Sequence, residues 1–161
     1  MSDAAPPRRG PEGLVIRRGT EADLPRVEEL LALGAVPGTR EEQRAEPERS
    51  RDALREIDRS GSVLLVAEVD GEVVGMCQLI VFRHIQAAGG RCAEIESVHV
   101  HPDRRGHGIG TAIMRHAVER ARALGCYRVQ LTSNTVREDA HRFYESLGFS
   151  PTHVGFKLSL D

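Results

Sequence analysis

The segment Glu94–Thr111, EIESVHVHPDRRGHGIGT, does most to limit what this chain can fold into. A β-rich run ends at Val100, His101-Pro102 breaks it, and glycines at 106, 108 and 110 open a new element. Ile109, Ala112, Ile113, Ala117, Ala121 and Leu124 then recur at helical spacing, so a helix is expected over 108–124, closed by Gly125. A helix start exposes unpaired N–H groups and a partial positive charge, which makes it an anion site. Glycines let a diphosphate come close to those groups, and Arg104 and Arg105 add full charge beside them. A dinucleotide fold would carry G-x-G-x-x-G after its first strand, with an acidic residue about 20 residues on. Here position 111 is Thr and the element follows an antiparallel meander. The Gly-Lys-Ser/Thr of a Walker A loop is absent, and a plain glycine-rich turn is the remaining alternative.

The rest of the chain supplies a sheet for this helix to pack on. Residues 1–12 are rich in Pro, Arg and Gly and are expected to be a disordered tail; residues 13–161 read as a single domain. Leu14–Ile16 makes a first strand, and Thr20 with Asp23 caps a helix whose Leu24, Val27, Leu30 and Leu31 share a face and which ends by Gly34. A polar, proline-interrupted loop spans 35–51, followed by a short helix over 52–59. Two apolar runs, Ser62–Val69 and Glu72–Phe82, flank Asp70-Gly71, a strong hairpin signal. A second reversal at 87–90 leads into a strand over 91–100. After the glycine-opened helix come a strand at 128–132, a helix at 137–147 closed by Gly148, and an alternating strand at 154–160. The expected fold is α/β (α+β), a mixed, mostly antiparallel sheet with helices on both faces.

Composition narrows the function. The 161 residues are 40% hydrophobic and 29% charged, with a formal net charge of -2 and a pI near 6.4. A duplex nucleic-acid binder would show a basic excess, so no nucleic-acid partner is expected. No apolar run approaches the ~20 residues that span a bilayer, so no membrane partner is expected either. Met1–Pro11 has no apolar core of the secretory kind, which makes the cytoplasm the expected location. Cys77, Cys92 and Cys126 are odd in number and unsuited to a disulfide framework. His99 and His101 have no carboxylate or cysteine at a metal-site spacing, so no metal is expected. A homodimer stays open.

Arg105-Gly106-His107-Gly108-Ile109-Gly110 matches the R/Q-x-x-G-x-G/A acyl-CoA signature of the GCN5-related N-acetyltransferase (GNAT) superfamily, which this chain resembles over nearly all its length past residue 13. Asn134 after the next strand, and Ala140, Phe143-Tyr144-Glu145 and Leu147-Gly148-Phe149, extend the likeness. Asp70–Met76, the Glu94 strand and Ser133–Tyr144 look like bacterial aminoalkylphosphonate N-acetyltransferases. The resemblance implies the GNAT fold and acetyl-CoA as co-substrate. It implies transfer of the acetyl group to a primary amine of a small molecule, an aminoalkylphosphonate or another acidic amine. A non-catalytic acyl-CoA-binding regulatory module and a protein or peptide N-acetyltransferase are the alternatives.

Acetyl transfer needs a neutral amine, a polarised thioester carbonyl and a proton for the departing thiolate. Glu94 and Glu96 alternate onto one strand face, which Val98 and Val100 are expected to share, and either carboxylate can take the amine's proton. The resemblance puts Glu94 first. It also assigns the backbone around Val98, His99 and Val100 to the thioester and pantetheine, and residues Arg105, Gly106, His107, Gly108, Ile109, Gly110 and Thr111 to the pyrophosphate. Asn134 would then bind pantetheine, and Tyr144 would protonate the sulfur. Arg83, His84, Arg91, His141 and Arg142 are candidates to meet an acidic acceptor. Cys92 or Cys126 could carry an acetyl group only if something activated the thiol.

Overall fold

The computed structural model describes residues 11–38 and 46–160. Most of the expected 1–12 tail and the centre of the 35–51 loop fall outside them. The chain divides into two compact units, one ending at Gln130 and one beginning at Leu131.

The first unit is built on a five-stranded sheet whose spatial order follows the chain: β1 (Val15–Arg18), β2 (Val63–Val69), β3 (Glu72–Arg83), β4 (Arg91–Val100) and β5 (Cys126–Gln130). All neighbours pair antiparallel except β4 and β5, which run parallel. This is the mixed, mostly antiparallel sheet the sequence predicts. Asp70 and Gly71 both have positive φ, 52° and 80°, as a two-residue hairpin turn requires if its twist is to match that of the strands. Between β3 and β4 the chain reverses through the helical turn α3 (Gln86–Gly89), whose Ala87 and Ala88 take left-handed φ values of 51° and 54°.

Helix α1 (Leu24–Gly34) follows a 3-10 turn at Glu21–Asp23. Its start is tied down by Asp23, whose Oδ2 accepts from the Thr20 N–H at 2.7 Å and the Thr20 hydroxyl at 2.9 Å. Arg17 grips both Asp23 oxygens at 2.8 Å. That pairing holds the Asp23 carboxyl well below the usual carboxylate range and raises Arg17. Helix α2 spans Pro47–Arg59, starting five residues before the expected 52. Its proline sits in the first helical position, where the missing N–H costs nothing, so a residue read as a loop breaker starts the helix.

Two residues on β3 fix which helix covers which face. Met76 packs in one cluster with Leu24, Val27 and Leu30 of α1 and Leu54 of α2. A Cβ at the adjacent Gly75 would come 2.9 Å from Ile113 of helix α4 (Ile109–Ala123). Neighbouring residues point to opposite faces, so α1 and α2 cover one side and α4 the other. Leu30 and Ile113, 1% and 0% exposed, anchor the two layers; truncating either to Ala costs about 2–5 kcal/mol.

In the second unit, α5 (Glu138–Ser146) ends where Gly148, at φ 91°, donates to the Glu145 carbonyl and the Phe149 N–H returns to the Tyr144 carbonyl. This is a Schellman closure. The strand expected at 154–160 does not form: residues 149–160 have no helix or strand, and Val154, Phe156, Leu158 and Leu160 are 79–93% exposed. Alternation specifies a strand only when another strand accepts its hydrogen bonds, and the second unit has no other strand among its described residues. The strand expected at 128–132 forms at 126–130, because Gly125 closes α4 and the chain enters the sheet at once opposite Arg91. Among the described residues no helix is long and apolar enough to cross a membrane.

Candidate active site

Parallel pairing of β4 with β5 stops at Glu94 opposite Gln130; from Ile95 to Val100, β4 keeps β3 on one side and has no β5 partner. Glu94 therefore sits at the last rung of that pairing, where β5 ends. Gln130 Nε2 donates to Glu94 Oε2 at 3.0 Å. The amide's other end faces the Cys92 thiol, Sγ to Oε1 3.7 Å, and Arg128 Nε donates to the same sulfur at 3.4 Å. A continuous polar line thus runs over the sheet from Arg128 through Cys92 and Gln130 to the Glu94 carboxylate.

The sequence-based expectation for the β4 face needs one correction. Glu96 lies opposite Gln78, but His99 lies opposite Met76, so three residues of β4 advance against two of β3. The extra residue is Ser97, at φ 53°: a β-bulge. Glu94 and Glu96 share the α1 face as expected, and beyond the bulge His99 joins them while Val100, opposite Gly75, turns toward α4. Val98 and Val100 are not on the face of the two glutamates. The His99 ring lies so close to α1 that a Cβ at Gly34 would overlap it.

Beyond Val100 the cradle takes shape. His101 Nδ1 accepts from the Asp103 N–H at 3.3 Å, capping a 3-10 turn at Pro102–Arg104. Gly106 and Gly108 have φ of 78° and 82°, and Gly108 is the N-cap of α4. Side chains rarely tolerate this left-handed backbone, so glycine here is a conformational requirement. The first-turn N–H groups of Ile109, Gly110 and Thr111 have no acceptor inside the helix. Arg105 donates from Nε to the Val100 carbonyl at 3.1 Å, which holds it against the strand end, while Arg104 faces Glu72 at 3.7 Å. Arg105 has no carboxylate partner among the described residues, so it is the stronger of the two cations toward an anion.

The second unit holds the other two expected residues. Asn134 is built into a turn: its Oδ1 accepts from the Val136 N–H at 3.1 Å, and its carbonyl meets Arg137 N at 3.0 Å and His141 Nε2 at 2.9 Å. Tyr144 is half-buried on α5, with its ring 5.3 Å from Phe143 and 6.2 Å from Phe149.

Several secondary candidates have structural partners. Arg83 donates to the Gly89 carbonyl and Arg91 to the Leu124 carbonyl, both on the α4 side of the sheet, opposite Glu94. His141 holds Asn134, and Arg142 pairs with Glu138 and Asp139 on its own helix. Burial pushes the Cys77 thiol up to about 12 and raises Cys126, while Cys92 is fully buried, so no thiol is poised as a nucleophile. No group of three or more His, Cys, Asp or Glu side chains among the described residues could hold a metal. Sequence reasoning misses Gln130 and Arg128. The signal is present in the sequence: both belong to one polar face of an otherwise ordinary strand.

A mixed sheet whose fourth strand leads into a glycine-built anion cradle at the next helix sets the class of fold to which the chain belongs. The family described as the Acetyltransferase (GNAT) family matches residues 27–149, and the chain belongs to it. Among its relatives, the aminoalkylphosphonate N-acetyltransferase of Salmonella typhimurium is 38% identical over 91 residues, 56% of this chain and 58% of that protein. The glucosamine 6-phosphate N-acetyltransferase of Trypanosoma brucei brucei is 36% identical over 90 residues, 56% of this chain and 59% of that one. The matches thus span under two thirds of these curated relatives. Among solved structures, a transcriptional regulator from Bacillus halodurans C-125 superimposes with a TM-score of 0.84 at 37% identity, covering 91% of this chain and 99% of the other. A Trypanosoma brucei acetyltransferase gives 0.79 at 30% identity, with the same coverage.

Proposed function

We propose that this protein moves the acetyl group of acetyl-CoA directly to the primary amine of a small molecule that carries an acidic group, in the cytoplasm. The observation that carries the reading is the presence, in one unit, of a helix-start cradle and a carboxylate held at the end of the β4–β5 pairing. The pyrophosphate would lie on the N–H groups of 105–111 beside Arg105. The thioester carbonyl would accept from β4 backbone N–H groups around Val98 and Val100, which polarise it as an oxyanion hole does. Glu94 takes one proton from the acceptor's ammonium, either directly or through water, with Glu96 the alternative base on the same face. The freed nitrogen bonds to the carbonyl carbon, the C–S bond breaks, and the thiolate takes a proton from Tyr144. The second amine proton returns to the tyrosinate or leaves to solvent, so the reaction releases N-acetyl product, CoA thiol and one proton. Both Salmonella typhimurium and Trypanosoma brucei brucei relatives are named for amines bearing a phosphonate or phosphate, which supports an acidic acceptor here.

The test is thiol release from acetyl-CoA across an amine panel, with Glu94→Gln beside the wild type. Alkyl ammonium groups titrate near ~10.4, so the acceptor arrives protonated at neutral pH. Loss of Glu94 should depress kcat at neutral pH and let it recover in part as rising pH supplies free amine. Full activity with an unshifted pH profile would move the base elsewhere. A non-catalytic regulatory module is the second reading, favoured by the likeness to the Bacillus halodurans transcriptional regulator. Acetyl-CoA binding without thiol release on any amine would establish it.

A further inference from the structure

We propose that Arg128 is the subsite for the acceptor's oxyanion, and that it sets the distance between that anion and the amine at Glu94. Arg128 lies opposite Cys92 in the sheet, and Gln130 lies opposite Glu94. Side chains two residues apart on a strand share a face roughly 7 Å from each other, so Arg128 stands on Glu94's face one step back along the paired strands. An amine and an anion joined by a short spacer can reach both.

The way the guanidinium is held argues for a ligand. Arg17, Arg18, Arg26 and Arg55 in the same unit each face a carboxylate. Arg128 has none among the described residues, and unlike Arg83, Arg91 and Arg105 it does not donate to a backbone carbonyl either. Its Nε goes to the Cys92 thiol at 3.4 Å, its Cζ lies over the Tyr127 ring 5.3 Å from the centroid, and its Nη2 stands 3.5 Å from His84 Nε2. His84 is itself braced by Phe82 at 5.0 Å between ring centroids. A thiol and an aromatic face fix an arginine's direction while leaving its charge uncancelled. Nη1 keeps its donors, with no acceptor among the described residues. A guanidinium oriented in this way matches the fork of a phosphonate, phosphate or carboxylate. The line through Cys92 and Gln130 ties its position to that of the base. The substrate-class part of this inference rests on Glu94 being the site of the reacting amine.

The experiment titrates methylphosphonate, and separately acetate, into the full chain saturated with CoA, so that the cradle is already occupied. Backbone amide NMR follows the response. Methylphosphonate should shift the amides around Arg128 and Gln130, and Arg128→Met should weaken its binding roughly tenfold or more, the worth of one charge-assisted hydrogen bond. Arg128→Gln, which keeps a donor, should fall between. Tighter acetate than methylphosphonate would assign a carboxylate acceptor, and the reverse order a tetrahedral one. Equal binding of the preferred anion by wild type and both variants, or no binding of either anion by wild type, overturns the subsite. Failure of the catalytic reading looks different: Glu94→Gln would keep full activity while Arg128-dependent binding persisted.

Discussion

Gln130 makes the Glu94 carboxylate a fixed object. Its Nε2 occupies one oxygen at 3.0 Å, and Glu94 Oε1 has no partner among the described residues. Gln130→Met should lower kcat about tenfold, an interaction worth about 1.4 kcal/mol, with the KM for acetyl-CoA unchanged. In a Glu94→Gln background the same substitution should add nothing, since a residue acting through Glu94 cannot act without it. Additive losses would show that Gln130 works through packing. Tyr144→Phe keeps the ring and its contacts with Phe143 and Phe149, so kcat should drop by roughly 10²–10⁴ with coenzyme binding nearly intact if the hydroxyl is the acid. A kcat within about threefold of wild type would hand the proton to solvent. At the level of single residues, Glu94 and Tyr144 can be nominated from the sequence, because chemistry limits which residue types could do the work proposed for them. Gln130 and Arg128 stand in no motif. Their meaning comes from which strand they face, and a lone arginine on a strand reads from sequence as a solvated surface residue.

The elements carry two further tests. The cradle depends on left-handed backbone at Gly106 and Gly108, so Gly108→Val should both strain the N-cap and fill the space above the N–H groups. Acetyl-CoA affinity should fall sharply in a protein that still folds, and unchanged affinity would remove the pyrophosphate from this helix start. At the other end of the unit, the Arg17–Asp23 pair lends α1 a pH dependence of defined sign. Asp23 is held below its unfolded value, so its contribution is complete above about pH 4 and is lost as pH falls through the lower folded-state range. Asp23→Asn should cost roughly 1–3 kcal/mol at neutral pH. The gap in Tm between wild type and variant should close on acidification; a gap constant down to about pH 2 would assign the effect to the cap geometry alone. Helix starts and hairpins are readable because Thr20, Asp23, Asp70-Gly71 and the cradle glycines encode local geometry. The start of α2 escapes the sequence because Pro47 is compatible with both a loop and a first helical turn.

At the scale of the molecule, ligand binding and stability are linked. If acetyl-CoA binds only the folded chain, a concentration about 100 times its Kd adds about 2.7 kcal/mol, and Tm should rise by roughly 5–10 °C for a chain of this length. Gly108→Val should lose most of that rise, and calorimetry with and without the coenzyme measures it. The mixed, mostly antiparallel sheet and the helices on both faces are legible because hydrophobic periodicity reports burial directly. The segment at 154–160 shows where that logic ends. Val154, Phe156, Leu158 and Leu160 alternate as a strand would, yet pairing is a property of two segments, and periodicity speaks for one.

The bulge at Ser97 has a consequence of the same kind. It works as a frameshift in the strand: before it, even-numbered residues face α1, and after it, odd-numbered ones do. The glutamate end of β4 and the end that leads into the cradle are thereby released from a common parity, and each can vary without dictating the other's facing. Deleting Ser97 would keep the present faces; pairing it in a straight strand would instead leave residues 91–96 where they are and invert every position from 98 to 100. The His99 imidazole would be driven into the packing of Ile109 and Ile113, and two valines would be stranded on the carboxylate side.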